Sequence, residues 1–234
     1  MLKRIKSLLL TVVIFGACIT AVGFVPRDTG YDYTVGIVQL VRHSALDAAT
    51  QGFTDSLTES IQAAGKTVKI DYQDAQNETV NCSVIANNFV AKKYDLIMAN
   101  ATAALQACYN ATEQIPILGT SVTVYDVALG LTDYNAAEGT GTNVSGTSDL
   151  APLAEQANMI AELVPSARKV GLLYCSSEAN SRYQVEEVAR CLEEMNMGYE
   201  CEFYAFSDSN DLSAVVEKMA AESEVVYVPT DNTV

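Results

Sequence analysis

The feature that most constrains this chain is its regular alternation of short apolar runs with segments of helical period. YTVGIVQL (33–40) reads as a strand, and Leu46, Ala49, Phe53, Leu57 and Ile61 then line one helical face until Gly65 stops it. The pairing repeats with TVKIDYQ (67–73) and a helix near 79–92, YDLIMA (94–99) and a helix near 101–112, then IPILGTSV (115–122). A second series follows: a helix near 151–164, KVGLLYC (169–175), a helix near 180–196, YECEFYAF (199–206), a helix near 210–221 and EVVYVPT (224–230). Strands joined through helices are parallel, so the expected class is α/β with two doubly wound parallel-sheet domains. Between the two series lies YNAAEGTGTNVSGTSD (134–149), rich in Gly, Thr, Ser and Asn and without periodicity. It is expected to be the crossover or hinge between an N-terminal domain at 31–133 and a C-terminal domain at 150–234.

The second series holds only three clear strands, and PTDNTV follows the last of them without a covering helix. A parallel strand without its crossover leaves an apolar face open. The expectation is therefore a second domain truncated at its C-terminus, the alternative being a short domain completed by another subunit.

Charge removes several function classes. Lys and Arg number 14 against 29 Asp and Glu, a formal charge of −15, which repels a phosphate backbone and excludes nucleic acid as a partner. The single His43 cannot build a multi-histidine metal centre, and Cys82, Cys108, Cys175, Cys191 and Cys201 show no C-x-x-C spacing, so no metal or cofactor is expected. Cys82 and Cys108 fall at different heights on successive helices, which disfavours a bridge between them. Asn77, Asn81, Asn100, Asn110 and Asn143 begin N-x-S/T sequons, which the bacterial-type leader described next makes poor glycosylation sites.

Residues 1–30 read as an export signal or membrane anchor: Lys3, Arg4 and Lys6 precede an uncharged apolar run, LLLTVVIFGACITAVGFV (8–25). Cys18 follows Phe15-Gly16-Ala17, small residues before a cysteine as in lipoprotein signals, although Phe15 stands where Leu is usual. Lipid attachment at Cys18, an uncleaved anchor and ordinary cleavage all place the rest of the chain in the cell envelope.

In open α/β sheets ligands lie beyond the carboxyl ends of the strands, where helix N-termini present free N–H groups. The loops expected there are VRHSALD (41–47), Asn100-Ala101-Thr102, Thr120-Ser121-Val122-Thr123, SSEANS (176–181) and Thr230-Asp231-Asn232-Thr233. Their hydroxyls suit a carboxylate, and Glu178 or Asp231 supplies the negative partner of an ammonium, so together they suit an amino-acid zwitterion. Helix capping explains any one of these residues equally well. His43, Ser44 and Asp47 invite a hydrolase reading, but adjacent residues at a helix start point apart and no G-x-S-x-G elbow occurs. GTGTNVSG (139–146) lacks the Lys of a phosphate-binding loop and reads as hinge.

Several stretches in order, VGIVQLVRHSALDAATQGF, IANNFVAKKYDLIMANATAALQA, IPILGTSVT, NVSGTSD, VGLLYCSSEANS and YVPTDNTV, resemble the substrate-binding proteins of bacterial ABC importers, in the group associated with tryptophan and tyrosine uptake. The resemblance runs from about Tyr33 to the last residue. It implies a type I periplasmic-binding protein fold, two α/β domains closing on ligand, in chains that continue beyond this one's end. It further implies no enzymatic activity or cofactor, an aromatic amino acid as ligand, and a membrane permease with its ATPase as partners. Carried over by position, the ligand contacts are His43, Leu46, Thr102, Ser121, Thr147, Ser148, Ser177, Glu178, Asn180, Ser181, Thr230, Asp231 and Asn232. Ser44 and Ala103 stand where relatives often carry proline, and VTVYD (122–126) where a shorter VTD is usual, which bears on the side-chain subsite. The alternative function is the ligand-sensing ectodomain of an envelope sensor, with the same cleft and no transport.

Overall fold

A computed structural model describes residues 30–234; the expected export or anchor segment, apart from Gly30, and Cys18 lie outside the described residues. The elements are β1 (Tyr33–Gln39), α1 (Ser44–Ala63), β2 (Val68–Asp74), α2 (Thr79–Ala91), β3 (Leu96–Asn100), α3 (Thr102–Ala111), β4 (Ile117–Val122), α4 (Tyr125–Leu129), β5 (Val144–Ser148), α5 (Leu153–Leu163), β6 (Lys169–Cys175), α6 (Ala179–Glu194), β7 (Glu200–Phe206), α7 (Leu212–Glu222) and β8 (Val225–Tyr227). They build a five-stranded sheet of order β2-β1-β3-β4-β5 and a three-stranded sheet of order β7-β6-β8. Every pairing between these strands is parallel, as crossover helices require.

Strand alternation sorts each sheet into two faces. In the first lobe Gly36, Val38, Ile97, Ala99, Ile117 and Val144 point toward α2, α3 and α4, where they join one apolar core with Phe89, Leu105 and Tyr125. Val35, Ile37 and Met98 lie on the opposite face under α1 and are equally buried. That face is only partly roofed: an open groove of about 370 Å³ runs between Ala49 and Phe53 of α1 and Met98, Leu118, Thr120, Ser145 and Thr147 of the sheet. In the second lobe Val170 and Leu172 pack with Val185, Val188 and Leu192 of α6, while Leu173, Cys175, Tyr204 and Phe206 pack against Met219 of α7. The strand β8 is an edge, and Val226 on it and Val228 just beyond it are exposed.

The stretch 134–149, aperiodic by composition, contains β5, which extends the first sheet as its fifth strand. Its weak alternation follows from its position: an edge strand with four of its five residues exposed has no apolar face to display. The Tyr125 hydroxyl donates to the carbonyls of Gly119 (3.0 Å) and Thr147 (3.3 Å) and so ties β5 to β4. Tyr125 belongs to the short helix α4, which no periodicity announced and which Gly130 ends in a left-handed conformation (φ 64°). All five described cysteines are unbridged, Cys82 and Cys108 among them.

Gly36 shows how closely the helical layer sits. A Cβ there would fall 2.3–2.8 Å from the ring of Phe89. That ring is fully buried and stacked on Tyr94 at 4.8 Å between centroids, so it has nowhere to move. Gly36→Ala is expected to lower stability by about 1–3 kcal/mol in urea unfolding. An unchanged midpoint would show that α2 can shift to admit the methyl group.

Candidate functional site

Parallel pairing sends the carboxyl ends of all strands of a sheet to one edge, and the loops leaving those edges carry the site. In the first lobe the end of β1 is held by a polar network against α1, with Gln39 and Asn100 buried at its centre. Gln39, fully buried, donates to Val41 O (2.8 Å) and Asp47 Oδ1 (2.6 Å) and accepts from the Thr50 hydroxyl (2.6 Å). Asn100, at the end of β3, donates through Nδ2 to Leu46 O (2.8 Å) and Thr50 Oγ1 (2.9 Å). Arg42 pairs with the other carboxylate oxygen of Asp47, and Gln39 and Arg42 together hold Asp47 below the usual carboxylate range. The network locks the first turns of α1 to the ends of β1 and β3.

Two side-chain atoms in this region are buried without a partner, Asn100 Oδ1 and Thr102 Oγ1. Thr102 is the first residue of α3 and follows Ala101, whose φ of 90° is unusual for a residue with a Cβ. Ser121, at the end of β4, also has positive φ (54°). Backbone strain of this kind, held by the surrounding structure, clusters at ligand sites.

The second lobe carries the acidic part. Glu178, 6% exposed, sits just before α6 and accepts from four groups: Asn232 N (3.2 Å), Asn232 Nδ2 (2.8 Å), Thr233 Oγ1 (2.9 Å) and Asn180 Nδ2 (3.3 Å). Asp231 accepts from Cys175 N (3.1 Å), Ser181 Oγ (2.6 Å) and Thr233 N (2.8 Å). Gln184 ties α6 to the end of β8, donating to Thr230 O (2.9 Å) and accepting from Thr230 N (3.1 Å). Burial pushes the Glu178 carboxyl above its ordinary value, and the negative charge of Asp231 pushes it further; the Asn232 and Thr233 donors oppose both. Asn180 Oδ1 is a third buried atom without a partner. Cys175 Sγ and the Glu178 and Asp231 carboxylates lie within 4.8 Å of one another, a donor set of metal-binding type, but the carboxylate oxygens are already engaged by amides and hydroxyls.

Placement of the expected contacts is uneven. Thr102, Ser121, Ser177, Glu178, Asn180, Ser181, Thr230, Asp231 and Asn232 lie at the carboxyl edges of their sheets. His43 is the N-cap of α1, its Nδ1 accepting from Ala45 N (3.3 Å). Asp47 is engaged by Gln39 and Arg42, and His43 and Asp47 form no triad geometry. Leu46 is a core residue at 4% exposure. Ser148 accepts from Leu150 N and donates to Thr123 O (2.7 Å), and Thr147 borders the groove beside α1. Gln39, Thr50 and Gln184 were not singled out by the sequence, and Thr233 entered only as the last residue of its loop. The signal for Gln39 is a lone polar side chain ending an otherwise apolar strand; Gln184 in a polar helix offers none.

Comparison with known proteins places this geometry. Residues 34–234 match the family described as ABC transporter substrate binding protein. A tyrosine-binding protein from Clostridioides difficile (strain R20291) is 38% identical over 207 residues, 88% of this chain and 59% of that protein. A crystal structure of an ABC domain from Streptococcus pneumoniae in complex with L-Trp is 32% identical, with a TM-score of 0.76 over 86% of this chain and 66% of that one. A leucine-binding protein from Thermotoga maritima, 16% identical with a TM-score of 0.62 over 83% of this chain and 55% of its own, shares the fold. The chain thus spans less than two thirds of the length of each of these proteins. With a family match from the first strand to the last residue and two parallel sheets of the type I periplasmic-binding kind, this chain belongs to the ABC transporter substrate-binding proteins.

Proposed function

We propose that this chain is the solute-recognition component of an ABC importer, taking an aromatic amino acid, tyrosine or tryptophan, at the facing strand ends of its two lobes. It works outside the cytoplasmic membrane, held there through the N-terminal segment and Cys18, and delivers its ligand to a permease coupled to an ATPase, with no chemical change to the ligand. One observation carries the reading: polar atoms buried without partners, Asn100 Oδ1, Thr102 Oγ1 and Asn180 Oδ1, at the strand ends where a ligand would complete them. The Thr102 hydroxyl at the N-terminus of α3 suits the ligand carboxylate, and Asp231 beside Glu178 suits its ammonium. Ring burial adds about 1.5–3 kcal/mol. The tyrosine-binding and L-Trp-bound relatives support the ligand class.

Calorimetry with tyrosine, tryptophan and phenylalanine, beside leucine and a sugar, tests the assignment. Binding of leucine or the sugar with none of the aromatics would overturn it. Asp231→Asn is expected to weaken aromatic amino-acid binding at least about tenfold, or 1.4 kcal/mol. Wild-type affinity in that variant would remove Asp231 as the ammonium partner.

The acidic pair also fixes a pH dependence. Because the folded state holds the Glu178 proton to higher pH than the unfolded chain does, the folded state binds more protons, and Glu178 makes stability fall as pH rises above 4.5, its ordinary value. Asp47, held below its own ordinary value, contributes in the opposite sense and at lower pH. Urea unfolding from about pH 4.5 to 7 should therefore show a stability decline in the wild type that Glu178→Gln removes. Parallel curves for the two proteins would contradict the shift.

A further inference from the structure

We propose that Asn77, Thr233 and Glu178 form a latch between the lobes, with Asn77 a positioning residue for cleft closure. Resting on the cleft reading above, the inference goes beyond it, because neither Asn77 nor Thr233, the two ends of the link between the lobes, is among the expected ligand contacts.

The Thr233 hydroxyl accepts from Asn77 Nδ2 (3.4 Å) in the first lobe and donates to Glu178 Oε1 (2.9 Å) in the second. A hydroxyl has one donor and two acceptor sites, so it serves both partners at once. The two ends of the Asn77–Thr233 bond are 156 residues apart in sequence, and each belongs to a loop held by backbone hydrogen bonds. Gln76 and Asn77 have successive left-handed conformations (φ 57° and 63°), unusual without glycine and least costly for Asn. Their turn is pinned to the end of β1, with Asn77 N donating to Leu40 O (2.7 Å) and Ala75 N to Gln39 O (2.8 Å). Gln76 N donates to Asp74 Oδ1 (2.8 Å) and closes the turn on β2. On the other side Thr233 N donates to Asp231 Oδ1 (2.8 Å), and Asn232 is held by Glu178. Movement of one lobe therefore reaches the other through one side-chain bond between two turns whose backbones are pinned. Through Gln39 the turn also connects to the α1 network, and through Glu178 the tail connects to the proposed ammonium site.

The test uses the full chain with spin labels on non-natural side chains at the exposed positions Glu59 in α1 and Glu217 in α7, read by pulsed electron resonance distances. Asn77→Gly keeps the left-handed backbone and removes the donor; Thr233→Val removes the hydroxyl at constant shape; Thr233→Ser restores it. Without added ligand, Asn77→Gly and Thr233→Val are expected to broaden the interlobe distance distribution, and Thr233→Ser to return the wild-type one. L-Tyrosine and L-tryptophan affinities should fall about three- to tenfold in either variant, and the double variant should fall no further than the singles. Wild-type distance distributions in both Asn77→Gly and Thr233→Val would overturn the latch. Failure of the wild type to bind either amino acid would instead overturn the proposed ligand, and the distance measurement would still decide the latch.

Discussion

Parallel pairing in both sheets is the constraint on which everything else depends. It forces a helix between successive strands, so each lobe has a strand-end edge where chains leave strands and enter helices. Free helical N–H groups collect at that edge, and the amino ends of the strands have none. The proposed ligand site therefore falls at that edge in each lobe. The same constraint requires cover on both faces, which α2, α3 and α4 supply on one side of the first sheet and α1 supplies only in part on the other.

Polar side chains at that edge carry a cost that the apolar core does not. A buried amide or carboxylate must recover the hydrogen bonds it gave up to water, and each one left unmade costs about 1–3 kcal/mol. Gln39 meets this cost by linking Val41, Asp47 and Thr50, and Gln184 by clasping both backbone groups of Thr230. In both cases the bond that satisfies the side chain also fixes a strand end against a helix. Asn100 is satisfied on its donor side and unpartnered on its acceptor side. Its NH₂ group donates to Leu46, Thr50 and Gln39, so flipping the amide would give up those bonds.

These differences separate what was legible in the sequence from what was not. Strands such as KVGLLYC, bounded as Lys169–Cys175, were readable because parallel strands buried on both faces are continuous apolar runs. Strand β5 was not, because an exposed edge strand of Val, Ser, Gly and Thr looks like loop. Helix α4 was too short to show a period. At the site, Glu178 and Asp231 stood out as acidic residues in hydroxyl-rich loops, yet their mutual proximity needed the fold, since 53 positions separate them. Leu46, a contact implied by the family resemblance, has its side chain in the core under α1, where apolar burial stabilises it. Thr233 and Asn77 lie so far apart in sequence that no local pattern links them.

On the proposed reading, the acidic pair lets a chain of charge −15 be selective rather than merely repulsive. A lysine placed against Glu178 and Asp231 would neutralise them permanently, and the pair would contribute nothing to ligand choice. Instead their donors are neutral amides and hydroxyls from Asn232, Thr233, Asn180 and Ser181, with the backbone N–H of Cys175. The basic Arg182 on the next helical turn is drawn away over the Tyr174 ring, 5.6 Å from its centroid. Neutral donors satisfy hydrogen-bonding valence without cancelling charge, so burial still penalises the ionised Glu178. On the proposed reading that residual penalty is relieved only when a ligand brings its own cation. A charge-assisted bond of about 1.5–3 kcal/mol then separates an amino acid from its uncharged isostere by roughly ten- to a hundredfold, with no fixed positive charge in the site.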